Sequence, residues 1–166
     1  MSLPSVLIRP AAPADLQAIG RLGALLVRTH HGFDPDRFIA ATPQTEHSYS
    51  SFLGTQLDKP NIIILVAERD GGVVGYTYAR VEGNDYMSLR GPAGVLHDIV
   101  VDSAHRGNGV GRVLLDATLA ALEAKGAPRV VLSTAERNES AQRLFASAGF
   151  RRTMIEMTRE SGAKRR

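Results

Sequence analysis

The stretch Val95-Leu96-His97-Asp98-Ile99-Val100-Val101-Asp102-Ser103-Ala104-His105-Arg106-Gly107-Asn108-Gly109-Val110-Gly111 changes character halfway along. Its first part is apolar and β-branched and predicts a strand over 94–101. Its end carries glycines at 107, 109 and 111 and opens a helix. Val110, Val113, Leu114, Ala117 and Ala121 mark one helical face, widened by Leu115, Leu119 and Leu122, and Gly126 with Pro128 stops it. Arg129 to Thr134 then reads as a second strand. A strand, a crossover helix and a strand imply a parallel pair.

The glycines have a chemical meaning as well. Bare amides between a strand and a helix lie where the helix dipole is positive, which makes a cradle for an anion. Glycine keeps a Cβ from blocking the approach and permits unusual φ values. Arg106 and Arg112 flank the cradle with positive charge. Other phosphate loops fit less well. A Walker A loop needs Gly-Lys-Ser/Thr, which is absent, and the dinucleotide fingerprint started at Gly107 needs a glycine where Arg112 stands.

Downstream, Asn138 is an N-cap candidate for a helix whose face is Ala141, Leu144, Phe145 and Ala148; Gly149 ends it, and Phe150 starts a final strand through Met157. Upstream, Val6 to Pro10 predicts a short strand, and Pro13 with Asp15 starts a helix whose face is Leu16, Ile19, Leu22 and Leu26. From Thr29 to Pro60 the chain reads as irregular, with a weak helical pattern at Tyr49, Phe52, Leu53 and Leu57. His30 to Phe38 is expected to be a solvent-facing substrate loop. Adjacent histidines such as His30 and His31 point apart, so no metal site is expected there. Ile62 to Ala67 and Val73 to Val81 flank Asp70-Gly71-Gly72, a hairpin signal. The element order β-α-α-β-β-β-α-β-α-β predicts an α/β domain with a mixed sheet over residues 1–160, followed by a basic tail over 161–166.

Composition narrows the function. The chain has 166 residues, 43% of them hydrophobic and 22% charged, which excludes fibrous, disordered and coiled-coil classes. Without cysteine there is no disulfide framework, thiolate metal site or Cys nucleophile, which fits a reducing, cytoplasmic setting. The longest apolar run, Ile62 to Ala67, is too short to span a membrane, and Met1 to Pro4 has no signal-peptide character, so no membrane role is expected. The net charge of +3 suggests nucleic acid at first sight. Lys164, Arg165 and Arg166 supply all of it, aromatics are only 5%, and Trp is absent, so no nucleic-acid partner is expected. Charge is instead divided along the chain: 8 basic against 11 acidic residues through His105, then 12 against 6 from Arg106 onward. That division marks the part from Arg106 onward as a cationic half suited to phosphate.

The motif Arg106-x-x-Gly109-x-Gly111 after an apolar strand resembles the signature of the GNAT superfamily of acetyl-CoA-dependent N-acetyltransferases. Asn138, Ala141, Leu144 and Phe145 with Gly149-Phe150 resemble that family's second landmark, and Ile8-Arg9-Pro10-Ala11 with Asp15-Leu16 is similar to its opening. The resemblance implies an α/β (α+β) fold with a mixed, mostly antiparallel central sheet, split by a V-shaped cofactor cleft and flanked by helices. It implies acetyl-CoA (coenzyme A) as cofactor, its pantetheine on the backbone of Ile99, Val100 and Val101. The pyrophosphate would lie on the amides of Arg106, Gly107, Asn108, Gly109, Val110, Gly111 and Arg112, with Asn138, Ala141 and Phe145 nearby.

The activity so implied is acetyl transfer to a primary amine of a small molecule or a protein, by direct attack through a ternary complex. Homodimers are common among such relatives. The family's base, where one exists, usually matches Val95 or His97; His97 is the choice here, since the ordinary imidazole pKa of ~6.5 suits neutral pH. Simple alternation places Val95, His97, Ile99 and Val101 on one face and Leu96, Asp98 and Val100 on the other, so Asp98 could orient His97 only if the strand bulges. Phe145 stands where many relatives carry a tyrosine that protonates the leaving thiolate; Tyr78, Tyr86 or Ser140 are candidates to replace it. The alternative function is a non-catalytic CoA-binding sensor.

Overall fold

The computed structural model describes residues 5–164. Its elements are β1 (Leu7–Pro10), a 3-10 turn (Pro13–Asp15), α1 (Leu16–Phe33), α2 (Thr45–Gly54), β2 (Ile62–Arg69), β3 (Gly72–Glu82), β4 (Ala93–Val101), a second 3-10 turn (Ser103–His105), α3 (Val110–Ala124), β5 (Val130–Leu132) and α4 (Glu139–Ser147). The strands form one five-stranded sheet in chain order β1-β2-β3-β4-β5. All neighbours are antiparallel except β4 and β5, which are parallel, as the α3 crossover demands. Sheet and helices are thus the expected mixed, mostly antiparallel arrangement.

Alternation along the strands builds a core on each face of the sheet. On one face Ile62, Ile64, Val66, Tyr76, Tyr78 and Val100 meet Ile19, Leu22 and Leu53 of α1 and α2. On the other, Ile63, Ala79 and Leu96 meet Leu115, Leu122 and Phe145, and Ala67 and Val74 meet Val110 and Leu114. Each fully buried Val, Leu, Ile or Phe among them stabilises the fold by about 1.5–3 kcal/mol. The predicted α3 face is right except at Val113, which is 46% exposed, while Thr118 is fully buried. Burial of that hydroxyl is tolerated because it donates to the Leu114 carbonyl and pairs with Thr77 Oγ1, both at 2.8 Å.

The hairpin between β2 and β3 turns on Asp70 and Gly71, with φ of +52° and +77°, the mirror-image geometry that suits strand twist. Asp15 anchors the start of α1: its carboxylate accepts from the Ala12 amide at 2.7 Å and from two nitrogens of the Arg9 guanidinium at 2.7 and 2.9 Å. That guanidinium holds the Asp15 carboxyl below the usual carboxylate range.

Two expectations are corrected. α1 runs on through Phe33, so His30 and His31 belong to its last turn and the loop begins at Asp34. The His30 ring bonds the Leu26 carbonyl at 2.9 Å and packs edge-on against Phe38, and His31 bonds the Phe38 carbonyl at 2.8 Å. These contacts fold the loop back on the helix, which periodicity could not show.

The final strand from Phe150 to Met157 does not form either. Phe150 docks on Phe145, but residues 151–160 are exposed and pair with no strand. No helix among the described residues is long and apolar enough to cross a membrane. Residues 1–4 and the last two of the basic tail, Arg165 and Arg166, lie outside the described residues.

Candidate active site

The register of β4 against β3 decides the geometry. Tyr78 pairs with Asp98 and Ala79 with Leu96, so His97 is one residue more than β3 can match, a β-bulge. The bulge overturns simple alternation. Leu96 and Ile99 lie with the α3 side, whereas Val100 lies with Tyr76 and Tyr78 on the α1–α2 side. Asp98 turns to that second side too, since it accepts from the Tyr76 hydroxyl. His97 joins it there, stacked on the Tyr78 ring at 5.2 Å with 25° between planes.

The same point marks where the sheet parts. β4 pairs with β5 only from Gly94 to Leu96, against Val130 to Leu132. From His97 to Val101 the outer edge of β4 faces no strand among the described residues, so a wedge opens between β4 and β5 toward the glycine turn. Ile99, Val100 and Val101 present backbone to that wedge, although the Val101 carbonyl also accepts from Arg106 Nε at 3.0 Å.

At the wide end of the wedge, Gly107 and Gly109 both adopt φ of +78°, and Gly109 is the N-cap of α3. A Cβ at either position would meet nothing within 4 Å, so open space lies before them. Val110, Gly111 and Arg112 are the first residues of α3, and their amides have no intrahelical acceptor. Successive amides around left-handed glycines form an anion-binding concavity. The sequence placed Arg112 at the phosphate, but its guanidinium reaches Asp116 at 3.0 Å and Ser147 Oγ at 3.1 Å, tying α3 to α4.

Asn138 caps α4, its side chain accepting from the Ala141 amide at 3.2 Å. Phe145 is buried among the α3-side core residues, edge-on to Phe150. Ala141 and Leu144 are partly buried against that core.

Glu82, which no sequence motif marks, completes the surroundings of His97. Its Oε1 stands 3.4 Å from His97 Nε2 and 3.2 Å from Arg80 Nε, and its Oε2 accepts from Arg90 at 2.9 Å. It lies at the far end of β3, 15 positions before His97, and only the register with its extra residue brings the two together. Of the three hydroxyls considered for the missing tyrosine, Tyr78 is at the bulge; Tyr86 is 76% exposed on the β3–β4 turn, and Ser140 hydrogen-bonds Asn138.

Behind the bulge, the Tyr76 hydroxyl donates to Asp98 Oδ2 at 2.9 Å. Burial pushes the Asp98 carboxyl up, opposed by the Tyr76 hydrogen bond and by the charges of His97 and His30. Burial, with the nearby Asp98 charge, pushes the Tyr49 phenol up to about 12. Tyr49, His30, Leu26, Val27, Phe38 and Ile39 line a mainly apolar hollow of about 210 Å³. α1 and α2 approach closely here: a Cβ on Gly23 would collide with the Tyr49 ring.

Comparison with known proteins accords with this geometry. Residues 26–150 match the acetyltransferase (GNAT) family. A mycothiol acetyltransferase of Thermobispora bispora is 38% identical over 96 residues, 55% of this chain and 31% of that protein; one from Thermomonospora curvata is 34% identical over 98 residues, 59% and 31%. The chain therefore spans about a third of the length of these curated relatives. Among solved structures, a tetramutant of the BH1408 protein from Bacillus halodurans superposes with a TM-score of 0.80 at 21% identity, covering 93% of this chain and 99% of that one. The aminoglycoside N-acetyltransferase AAC(6')-Iy, solved in complex with CoA, gives 0.74 at 17% identity and 98% coverage of both chains. With more than half of its length matched, the chain belongs to the acetyltransferase (GNAT) family, whose acetyl donor is acetyl-CoA.

Proposed function

We propose that residues 1–160 form one acetyltransferase domain that moves an acetyl group from acetyl-CoA to a primary amine, by direct attack within a ternary complex. The observation that carries this reading is the parting of β4 from β5 at the bulge holding His97, with the wedge running into the glycine cradle. The residues present fit the cofactor. The amides of 107–112 would take its pyrophosphate, the backbone of Ile99 to Val101 its pantetheine amides, and Asn138, Ala141 and Phe145 the α4 side of the wedge. Bound there, acetyl-CoA supplies a thioester, an acetyl group on a good leaving group.

The chain's own residues handle the amine. An ammonium of pKa near ~10 must lose a proton before its lone pair can attack a carbonyl. His97, 38% exposed at the bulge, takes that proton on the face where α1 and α2 leave the hollow. Glu82 then offsets the positive charge on the imidazole. With acetyl-CoA bound there, the neutral nitrogen would bond to the acetyl carbon as the carbon–sulfur bond breaks, and the nitrogen's remaining surplus proton would pass to the departing thiolate, leaving an amide and the CoA thiol. A thiol pKa of ~8.5 makes this feasible without the hydroxyl that Phe145 lacks; of the three hydroxyl residues considered, Tyr78 is the one whose ring stacks on His97.

A small-molecule amine is the favoured acceptor, because the hollow is modest in size and the matched relatives carry small-molecule names. The absence of cysteine favours a reducing, cytoplasmic setting. Thiol release from acetyl-CoA, followed across a panel of small amines and amine-bearing peptides, tests the proposal. Turnover on at least one small amine is expected. Tight acetyl-CoA binding with no turnover on any amine would overturn it in favour of a CoA-binding sensor.

A further inference from the structure

Glu82 faces more positive charge than one carboxylate can balance. Its Oε2 accepts from Arg90 at 2.9 Å, and its Oε1 lies 3.2 Å from Arg80 Nε and 3.4 Å from His97 Nε2. Arg90 is a settled partner. Its side chain is only 13% exposed, donates to the Gly91 carbonyl at 2.9 Å and stands 3.8 Å from Asp85. Arg80 is held differently: its Nε is buried and makes no hydrogen bond among the described residues, so it sits beside Glu82 through charge alone. A buried donor without an acceptor weakens a fold, so folding does not account for the place of this guanidinium.

The consequence falls on His97. A carboxylate beside a histidine favours the imidazolium, and an imidazolium has no lone pair with which to take a proton. Positive charge on that same carboxylate opposes the effect, because it repels the charge the imidazole would gain. The other titratable groups on this face are Tyr78, stacked on the ring, and Asp98, next in the chain and bonded by the Tyr76 hydroxyl. Beyond Asp98 stand His30 of α1 and Tyr49 of α2.

We propose that Arg80 is a positioning residue for the imidazole: by keeping a positive charge at the Glu82 oxygen that faces Nε2, it holds His97 unprotonated at neutral pH and ready to accept a proton. The value of this to the reaction rests on His97 as the base proposed above. Two neighbours on β3 then have opposed tasks. Glu82 steadies the imidazolium once the proton has moved, and Arg80 keeps that state from being the resting one.

Proton NMR titration of the full chain tests this without turnover. The chain has five histidines, and the His97 ring signals are those that vanish in His97→Ala. Arg80→Gln is expected to raise the midpoint of the His97 titration by about half a pH unit, the size of one charge a few ångströms away at a partly exposed site. Arg80→Lys, which keeps the charge, should move it by less than half as much. Arg80 Nε has no hydrogen bond to lose, so both chains should fold, which circular dichroism checks. In Arg80→Gln the acid limb of the kcat/KM profile should move to higher pH by the same amount as the midpoint. A midpoint that stays or falls in Arg80→Gln, or that rises equally in Arg80→Lys, would overturn the proposal. A raised midpoint with an unmoved acid limb would support the hold of Arg80 on His97 and overturn His97 as the base.

Discussion

The two sides of β4 are built by opposite means. On the α3 side the wedge proposed to hold the cofactor is made of backbone: unpaired strand edge, left-handed glycines and the first amides of a helix. On the α1–α2 side the surface proposed to face the amine is made of side chains from well-separated positions: Glu82 and Tyr78 stand beside His97, and Tyr49 packs against the cluster that holds Tyr78. Backbone recognition depends on local sequence and tolerates change in most neighbours. Side-chain recognition depends on register and on how helices seat, so it can diverge while the wedge stays the same.

The sharpest way to break this contrast is Gly109→Val. A valine at φ of +78° is strained by about 1–2 kcal/mol and puts methyl groups into the open space before the amides. Isothermal titration should show acetyl-CoA binding abolished while circular dichroism still reports a folded chain; retained binding would mean the cradle is not the phosphate site. His97→Ala should do the reverse. It should lower kcat/KM at neutral pH by about a hundredfold to a thousandfold, the range of a lost general base, and leave acetyl-CoA affinity within a factor of two or so. An unchanged pH–rate profile would remove His97 from the chemistry.

Asp15→Asn probes the framework that seats α1 behind the amine side, and should cost about 2 kcal/mol of stability at neutral pH through weakened charge-assisted hydrogen bonds. The sign of its pH dependence follows from the lowered carboxyl pKa. Stability from the ionised group is fully present above the ordinary carboxylate pKa of ~3.9 and is lost as pH falls through the lower, folded value. Urea titrations of the two proteins should therefore converge in acid. The smallest effect is Glu82→Gln, expected to reduce kcat about twofold to fivefold, as befits a partly exposed ion pair, with KM for acetyl-CoA unchanged. A rise in that KM instead would place Glu82 on the cofactor side.

This division also explains what could be read from sequence. The strand, glycine turn, helix and parallel strand between 94 and 134 are local patterns, and they appear as expected, with β5 shorter than the apolar run suggested. Asn138 acts as the N-cap its residue type announced. Which way His97 and Asp98 point could not be read, because a bulge depends on the partner strand and leaves no mark in β4 itself. Glu82 was invisible for the same reason. The end of α1 was missed because contacts with Phe38 stabilise its last turn, and the final strand because the apolar residues Phe150, Met154, Ile155 and Met157 state a capacity to pair without naming a partner.

The extra residue at His97 acts as a change of parity. Before it, even-numbered positions of β4 look toward α3; after it, they look toward α1 and α2. One strand therefore contributes Leu96 to one core and Val100 to the other, though they are four positions apart. A single-residue deletion there would restore strict alternation and transpose inside for outside along one of its halves. The molecule can exchange residues around this strand far more readily than it can lose one from it.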